Sequence, residues 1–176
     1  HIEINKVILK KLNFSYLEES LNILNFKKNK KLENRDFIQL HFDEKWIYNS
    51  YISKFTKIEP NKNELMQFLN AITVKTKKRF IITTGQYCPK ILSDLKFEIE
   101  KLNIKLYNNL SFSDLQDITL NSNLLISCHG AVSHIAAAKE IKQIDIIDKS
   151  YDYNRWTKHF RNYTSLYRSE FNELVK

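Results

Sequence analysis

The sequence predicts an α/β fold, a Rossmann-like parallel sheet flanked by helices, and three observations support it. Short apolar runs rich in Ile, Leu and Phe alternate with stretches whose apolar residues recur at helical spacing. The runs end in polar or glycine-containing segments, as buried strands do where they leave a core. The composition is that of a chain with one core, because 43% of the 176 residues are hydrophobic and 12% are aromatic.

Strands and helices are predicted to alternate along the chain. Strands are expected over residues 37–42, 80–84, 104–107, 124–128 and 144–147. Helices are expected over 61–76 and 89–102, from Ser111, from Ala131, and over the tail from Trp156 to Tyr167. Strands that are separated by helices pair in parallel through right-handed crossovers, so the predicted sheet is parallel.

Two segments are predicted from composition and pattern. Residues 1–34 are expected to be a lead-in or interdomain segment, with a short strand over 2–9, a capping-box helix start at Ser15 and a lysine-rich connector. Residues 35–176 are expected to form one domain. Because the chain begins with His rather than Met, we expect a fragment, or a cloning remnant at its start.

The charge and the cysteines exclude several classes of protein. The net charge is +8, but only five of the 28 basic residues are arginine, and the lysines are scattered along the chain as a coding bias would scatter them. We therefore expect no nucleic-acid partner. A lysine-rich nucleic-acid binder is the alternative. Cys88 and Cys128 form no Cys-x-x-Cys pair, so neither a zinc site nor a disulfide framework is indicated. With no transmembrane segment and no signal peptide in the sequence, we expect a cytoplasmic protein; attachment to the inner face of the plasma membrane stays open.

The segment from Ile126 to Ala138 is the candidate ligand site. An apolar run ends at Gly130, one of only two glycines, and an Ala-rich helix follows. Glycine permits a positive φ and a close approach, and a helix N-terminus offers free N–H groups and the positive end of its dipole, which suit a phosphate. His129 and His134 flank the turn. A purely structural turn is the alternative, because many α/β domains carry one without a ligand.

Other chemistries are disfavoured by the same residues. Two glycines cannot supply Gly-x-Gly-x-x-Gly or Gly-x-x-x-x-Gly-Lys, which disfavours a dinucleotide dehydrogenase and a P-loop nucleotidase, and no serine-hydrolase elbow is present. His129 and His134 are five positions apart and lack a third carboxylate ligand, so no metal site is predicted. Ligands of parallel sheets bind beyond the carboxyl ends of the strands. Those ends carry Lys45, Gly85, Ser111 and Gly130.

Residues 109–138 resemble the C-terminal half of the heptosyltransferase-like bacterial glycosyltransferases. The shared pattern is the helix start Asn-Leu-Ser-Phe-Ser-Asp-Leu, the strand Asn-Leu-Leu-Ile-Ser-Cys, and the turn and helix His-Gly-Ala-Val-Ser-His-Ile-Ala-Ala-Ala. The segment Asp43-Glu44-Lys45-Trp46 is similar to the Lys-x-Trp at the end of the family's first strand. The resemblance covers about residues 35–160. It implies the C-terminal half of a GT-B architecture, with residues 35–176 binding a nucleotide-sugar donor.

The resemblance implies a role for particular residues. The donor phosphates would be bound by Lys45, His129, Gly130, Ala131, Val132, Ser133 and His134. The ribose and base would be bound by Thr84, Gly85, Gln86 and Ser111, for which a turn or cap role is the alternative. The sequence departs from the family pattern at three points: His129 stands where the family has Asp, the glycine is one position early, and Lys45 directly precedes Trp46.

The resemblance also implies an enzyme, a metal-independent hexosyl- or heptosyl-transferring glycosyltransferase. It would need no cofactor besides its nucleotide-sugar substrate, and its acceptor would be a bacterial surface glycan or a glycolipid such as lipopolysaccharide. In that two-domain architecture the acceptor site and the catalytic base lie in an N-terminal domain. We therefore expect no catalytic residue in this chain and no turnover by it alone. A non-enzymatic nucleotide-binding or interaction module is the alternative, and the sugar and base of the donor stay open.

Overall fold

The computed structural model describes residues 36–51 and 53–176, together with Lys11. Apart from Lys11, the predicted lead-in over 1–34 lies outside the described residues, as do its predicted strand and helix. The described residues contain a six-stranded parallel sheet with the strand order β3-β2-β1-β4-β5-β6. The strands are β1 (Phe37–His41), β2 (Arg79–Thr83), β3 (Lys105–Tyr107), β4 (Leu124–Cys128), β5 (Lys142–Ile147) and β6 (Tyr163–Tyr167). The α/β fold class and the five predicted strands are confirmed.

Helices connect the strands and cover both faces of the sheet. They are α1 (Lys62–Thr76), α2 (Lys90–Asp94), α3 (Lys96–Lys101), α4 (Phe112–Asn121), α5 (Ala131–Ala138), α6 (Asn154–Thr157) and α7 (Phe171–Leu174), with a 3-10 helix over Glu44–Trp46. Local capping fixes where the longer ones begin. Asn61 and Glu64 form a reciprocal capping box at the start of α1, and the Ser111 hydroxyl accepts from the N–H of Asp114 in α4.

The core lies on both faces of the sheet because the strands are buried on both faces, and its described residues form three apolar clusters. On one face, Leu40, Phe42 and Ile82 pack with Leu65 and Leu69 of α1. On the other face, Leu125 packs with Val132 and Ala136 of α5, so the small Ala136 lets this helix lie close to β4. Successive residues of a strand point to opposite faces, which is why Leu125 and its neighbour Ile126 join different clusters.

The predicted helix over 89–102 is interrupted. Leu95 takes φ −102° and ψ 10°, which separates α2 from α3. Leu92, Leu95 and Ile99 are nonetheless all buried in the same cluster. Packing against the sheet therefore holds both short helices in place across the interruption, an effect that helical periodicity alone does not reveal.

The prediction of a final helix over Trp156–Tyr167 is wrong. The tail forms the short α6 and then β6, which pairs in parallel with β5 so that Asp145 lies beside Ser165. Residues Thr164 to Tyr167 are exposed at the edge of the sheet. An edge strand is held by backbone hydrogen bonds, so its side chains carry little of the apolar alternation that predicts a strand.

The strand order reverses between β1 and β4. Their carboxyl ends lie side by side, with Leu40 paired to Ile126 and His41 to Ser127. In open α/β sheets the crevice at such a reversal is where ligands bind. Among the described residues, no helix is both long and apolar enough to cross a membrane.

Candidate functional site

The segments that follow β1 and β4 meet at the reversal point. Asp43 caps the 3-10 helix, since its side chain accepts from the N–H of Lys45 at 3.1 Å. This turn carries Lys45 toward α5, and a Cβ atom on Gly130 would lie 3.1 Å from the Nζ of Lys45. The structure therefore brings together Lys45 and the turn that begins at Gly130, as the sequence predicts.

Gly130 does not have the positive φ that the sequence suggested. Its φ is −176° and its ψ is −164°, an extended backbone that any residue can adopt. The reason for glycine here is space, because a side chain would press on Cε and Nζ of Lys45. Gly85, the other glycine, abuts the same 3-10 helix: its Cβ would lie 3.1 Å from Oε2 of Glu44. Both glycines thus make room for the residues after β1.

The N-terminus of α5 supplies hydrogen-bond donors. The N–H groups of Ser133 and His134 donate to the carbonyl of Gly130, and the N–H of Gly130 donates to Oγ of Ser133. Among the described residues the N–H groups of Ala131 and Val132 have no acceptor, as geometry requires of a first helical turn. Of the backbone N–H groups predicted to bind phosphate, these two are therefore free to donate a hydrogen bond to a ligand.

Lys45 is held by a buried acidic partner. Its Nζ donates to Oδ2 of Asp43, which is also 3.5 Å from Nε2 of His41. Burial raises the pKa of Asp43, but the hydrogen bond from His41 and the charge of Lys45 outweigh it, so this pKa lies below its ordinary value. Burial lowers the pKa of Lys45, whereas the charges of Asp43 and Glu44 raise it, and the net change is upward. Lys45 is therefore a fixed cation.

Arg168 is a second cation at this edge, and no motif in the sequence pointed to it. It follows β6 and is only 8% exposed. Its Nε donates to the carbonyl of Thr56 at 3.0 Å, one terminal nitrogen to the carbonyl of Lys45 at 2.7 Å, and the other lies 3.6 Å from Sγ of Cys128. No carboxylate of the described residues is paired with it. The available signal was that Arg168 is one of five arginines in a lysine-rich chain.

A cavity of about 290 Å³ lies between these cations and the turn. Aromatic side chains make up much of its lining, together with the two cations. The lining residues are Lys45, Tyr51, Phe55, Cys128, His129, Gly130, Ala131, His134, Ile146, Tyr151, Tyr153, Trp156 and Arg168. A buried guanidinium without a carboxylate partner is costly, and the cost is offset where an anion binds beside it.

A second cleft, of about 510 Å³, opens on the other side of Lys45 and Ala131. Gly85 and Gln86 line it, together with Tyr87 and Phe112. The other two residues that the resemblance assigned to ribose and base are placed differently. Thr84 is 1% exposed and its hydroxyl donates to the carbonyl of Gly85, while Ser111 is exposed and caps α4. Both make local structural bonds.

The remaining predicted residues lie beside the cavity. Ser133 is fully buried, and its hydroxyl donates to Oδ1 of Asp145 at 2.7 Å. Nδ1 of His129 lies 2.8 Å from Oδ2 of the same carboxylate. His134 is exposed at its edge but packs on Phe160; burial, and then the charge of His129, lower its pKa. No group of three or more His, Cys, Asp or Glu side chains suited to a metal occurs among the described residues.

Known structures share this fold. The UDP-GlcNAc 2-epimerase of Methanocaldococcus jannaschii, determined in complex with UDP-GlcNAc and UDP, matches with a TM-score of 0.58 and 14% identity, over 98% of this chain and 50% of that one. The UDP-N-acetylglucosamine 2-epimerase from Rickettsia bellii matches with a TM-score of 0.51 and 16% identity, over 96% of this chain and 38% of that one. No protein-family model and no curated protein sequence matches the chain.

These comparisons establish the fold at the level of architecture. The chain has the Rossmann-like α/β fold of these two enzymes and spans half of the length of one and 38% of the other. Both neighbours are epimerases, so the heptosyltransferase-like resemblance remains a prediction, as do the roles of the individual site residues.

Proposed function

We propose that this chain is the nucleotide-sugar-binding half of a GT-B-type enzyme, and that it binds the donor diphosphate at the strand-order reversal. The observation that carries the proposal is the convergence of Lys45, Arg168 and the α5 N-terminus on one cavity. The neighbouring structures, both of enzymes named for a UDP-sugar, support a nucleotide sugar as the ligand.

The charge balance favours an anion even though Asp43 faces Lys45. The carboxylate of Asp43 offsets about one positive charge, whereas Arg168 has no such partner and the helix N-terminus adds about half a charge. Glu44 is half-exposed, so water and salt screen it. A diphosphate in this cavity therefore meets one cation without a carboxylate partner, a second cation paired with Asp43, and the helix N-terminus.

This arrangement suits the departure of a nucleoside diphosphate. When a glycosyl–phosphate bond breaks, negative charge develops on the leaving phosphate oxygens. The amides of Ala131 and Val132 and the two cations are already in place, so they stabilise that charge without reorganising. The two clefts on either side of Lys45 would then take the nucleoside, beside Gly85 and Gln86, and the sugar, among the aromatic residues.

Glycosyl transfer to a bacterial surface glycan or lipopolysaccharide is the reaction that we propose, on the family resemblance. Epimerisation of a UDP-sugar is the second candidate, because both structural neighbours are UDP-GlcNAc 2-epimerases. The two differ in whether an acceptor is consumed. Incubating the full-length protein with UDP-GlcNAc alone separates them, since only an epimerase converts it to an isomer without an acceptor.

Calorimetric titration of UDP, ADP, GDP, CDP and UDP-GlcNAc into the 176-residue chain tests the binding proposal. We expect at least one nucleoside diphosphate to bind, and Lys45→Ala to weaken it by about 1–3 kcal/mol, the range for a hydrogen bond to a charged group. Lys142→Ala is the matched control, because Lys142 is exposed at the amino end of β5, on the far edge of the sheet.

Two results would overturn this proposal. One is a folded chain that binds none of these nucleotides at millimolar concentration, which favours a non-enzymatic interaction module. The other is binding of RNA or DNA with a steep loss of affinity as salt rises and no preference for nucleotides, which favours the lysine-rich nucleic-acid binder.

A further inference from the structure

A buried carboxylate fixes the ring of His129. Asp145 is 0% exposed, and its Oδ1 accepts from the hydroxyls of Ser127 at 2.8 Å and Ser133 at 2.7 Å. Its Oδ2 lies 2.8 Å from Nδ1 of His129. An ionised carboxylate only accepts hydrogen bonds, so Nδ1 of His129 must carry the hydrogen. The free nitrogen of a neutral His129 ring is then Nε2.

His129 lines the same cavity as the proposed phosphate site. The ring of His129 lines that cavity next to Gly130, and among the described residues Nε2 has no hydrogen-bond partner. The ring packs edge to face on Tyr153, with centroids 5.1 Å apart, and on His134, with centroids 5.3 Å apart. Held by packing on one side and by Asp145 on the other, the ring is rigidly presented to the cavity.

The charged groups around the His129 ring have opposite effects on its protonation when the cavity is empty. Asp145 of β5 favours a protonated ring. Lys45 of the 3-10 helix and Arg168 after β6 line the same cavity and disfavour it, and a protonated His134 of α5 would do the same. The other titratable groups that line the cavity are Cys128, Tyr51, Tyr151 and Tyr153. A bound dianionic phosphate would neutralise the two cations. Asp145 would then have the largest electrostatic effect on the protonation of His129.

We infer that His129 takes up a proton when a diphosphate binds, so that an imidazolium Nε2–H donates to the terminal phosphate. This inference rests on the proposed function, because it needs a phosphate in that cavity. It deepens the proposed function by making diphosphate binding proton-coupled. Histidine is the side chain whose ordinary titration lies near neutral pH, so no other residue type could play this part there. The family's Asp at this position could not donate such a hydrogen bond when ionised.

The test is calorimetry of UDP binding at pH 7.5 in buffers of different ionisation enthalpy, which counts the protons taken up. The terminal phosphate ionises near pH 6 and is almost fully dianionic at this pH, so it contributes little. An imidazole that gains proton affinity on ligand binding takes up a fraction of a proton, which this measurement counts. We expect a fractional uptake of this kind for the wild type and for His159→Gln, whose histidine is exposed and does not line the cavity, and near zero for His129→Gln.

Imidazole ¹⁵N spectra of the wild type give a second readout that needs no variant to bind. We expect the Nδ1–H form of His129 in the free protein and a doubly protonated ring with UDP, the signals being assigned by their loss in His129→Gln. UDP binding without proton uptake, uptake that persists in His129→Gln, or an Nε2–H form in the free protein would overturn the inference and leave the proposed function standing. Failure of UDP and every other nucleotide to bind would overturn both.

Discussion

At the scale of single residues, the two glycines have one role. Each leaves space for a side chain of the 3-10 helix: Gly130 for the end of Lys45 and Gly85 for the carboxylate of Glu44. The two neighbours differ in charge and in exposure, since Lys45 is 14% exposed at its side chain and Glu44 is 51% exposed. Substitutions at the two glycines should therefore have different effects on an anionic ligand.

We predict that Gly130→Val abolishes detectable nucleoside diphosphate binding with little loss of fold. The valine side chain would displace the flexible end of Lys45 and fill the approach to the amides of Ala131 and Val132. Because the backbone of Gly130 is extended, valine meets no backbone strain there. Titration calorimetry measures the loss, and circular dichroism checks the fold.

The control for this prediction is Lys142→Ala, which lies exposed at the amino end of β5 and should change affinity less than threefold. If folded Gly130→Val binds as tightly as the wild type, the turn is structural and the non-enzymatic interaction module becomes the better reading.

A second prediction concerns Arg168. Replacing it with Gln should weaken diphosphate binding by about 1.5–3 kcal/mol, because the site loses its cation without a carboxylate partner. The matched control is Arg161→Gln: Arg161 is exposed and paired with Glu140 at 2.8 Å, at the opposite edge of the sheet. Isothermal titration of both variants measures the difference. Equal affinities in the two variants would remove Arg168 from the site.

At the scale of elements, the turn after β1 couples the site to acid stability. The pKa of Asp43 is below its ordinary value in the folded protein, despite its burial, because His41 and Lys45 stabilise the carboxylate. Its contribution to stability is therefore present above the ordinary carboxyl range and is lost as pH falls through the folded value. The affected window lies below about pH 4.

We predict that Asp43→Asn lowers the free energy of unfolding at pH 7 by about 1–3 kcal/mol, the cost of leaving a buried partner without its charge pair. The same variant should lose less stability than the wild type between pH 4.5 and 2.5. Urea unfolding across this range measures both effects. Asp94→Asn is the control, because Asp94 pairs with the exposed Lys62 and should have a small effect. Parallel pH profiles for Asp43→Asn and wild type would contradict the prediction.

Much of the element order could be predicted because the inner strands are buried on both faces. Phe37–His41 and Leu124–Cys128 are recognisable as apolar runs. Their predicted bounds agree with the observed ones to within one residue, because polar residues follow each run. The edge strand β6 has no such apolar pattern and was not predicted. Arg168 directly follows β6, so its position at the site could not be predicted either. The extended backbone of Gly130 could not be predicted from sequence. A glycine that is needed to leave space for a neighbour cannot be distinguished, in sequence, from one that is needed for a positive φ.

At the scale of the whole molecule, the chain spans only part of the length of its structural neighbours. It covers half of one and 38% of the other. The proposed function implies that the group that activates the acceptor lies outside the residues of this site.

We accordingly predict that residues 1–176 bind a nucleotide sugar but transfer no sugar from it. Product formation from any donor and acceptor pair, followed by chromatography, checks this. Turnover above background hydrolysis by the purified chain would contradict it, provided that Gly130→Val abolishes the same activity and so excludes a contaminating enzyme.

The proposed diphosphate site lies at the N-terminus of α5, and an NMR titration of the ¹⁵N-labelled chain with UDP tests this location. We predict that the amide signals of Ala131 and Val132 shift most, with saturation at the calorimetric affinity, because these N–H groups meet the phosphate. The largest shifts should stay at the carboxyl edge of the sheet. Shifts concentrated at the opposite edge instead, around the cleft lined by Lys78 and Lys142, would contradict the account.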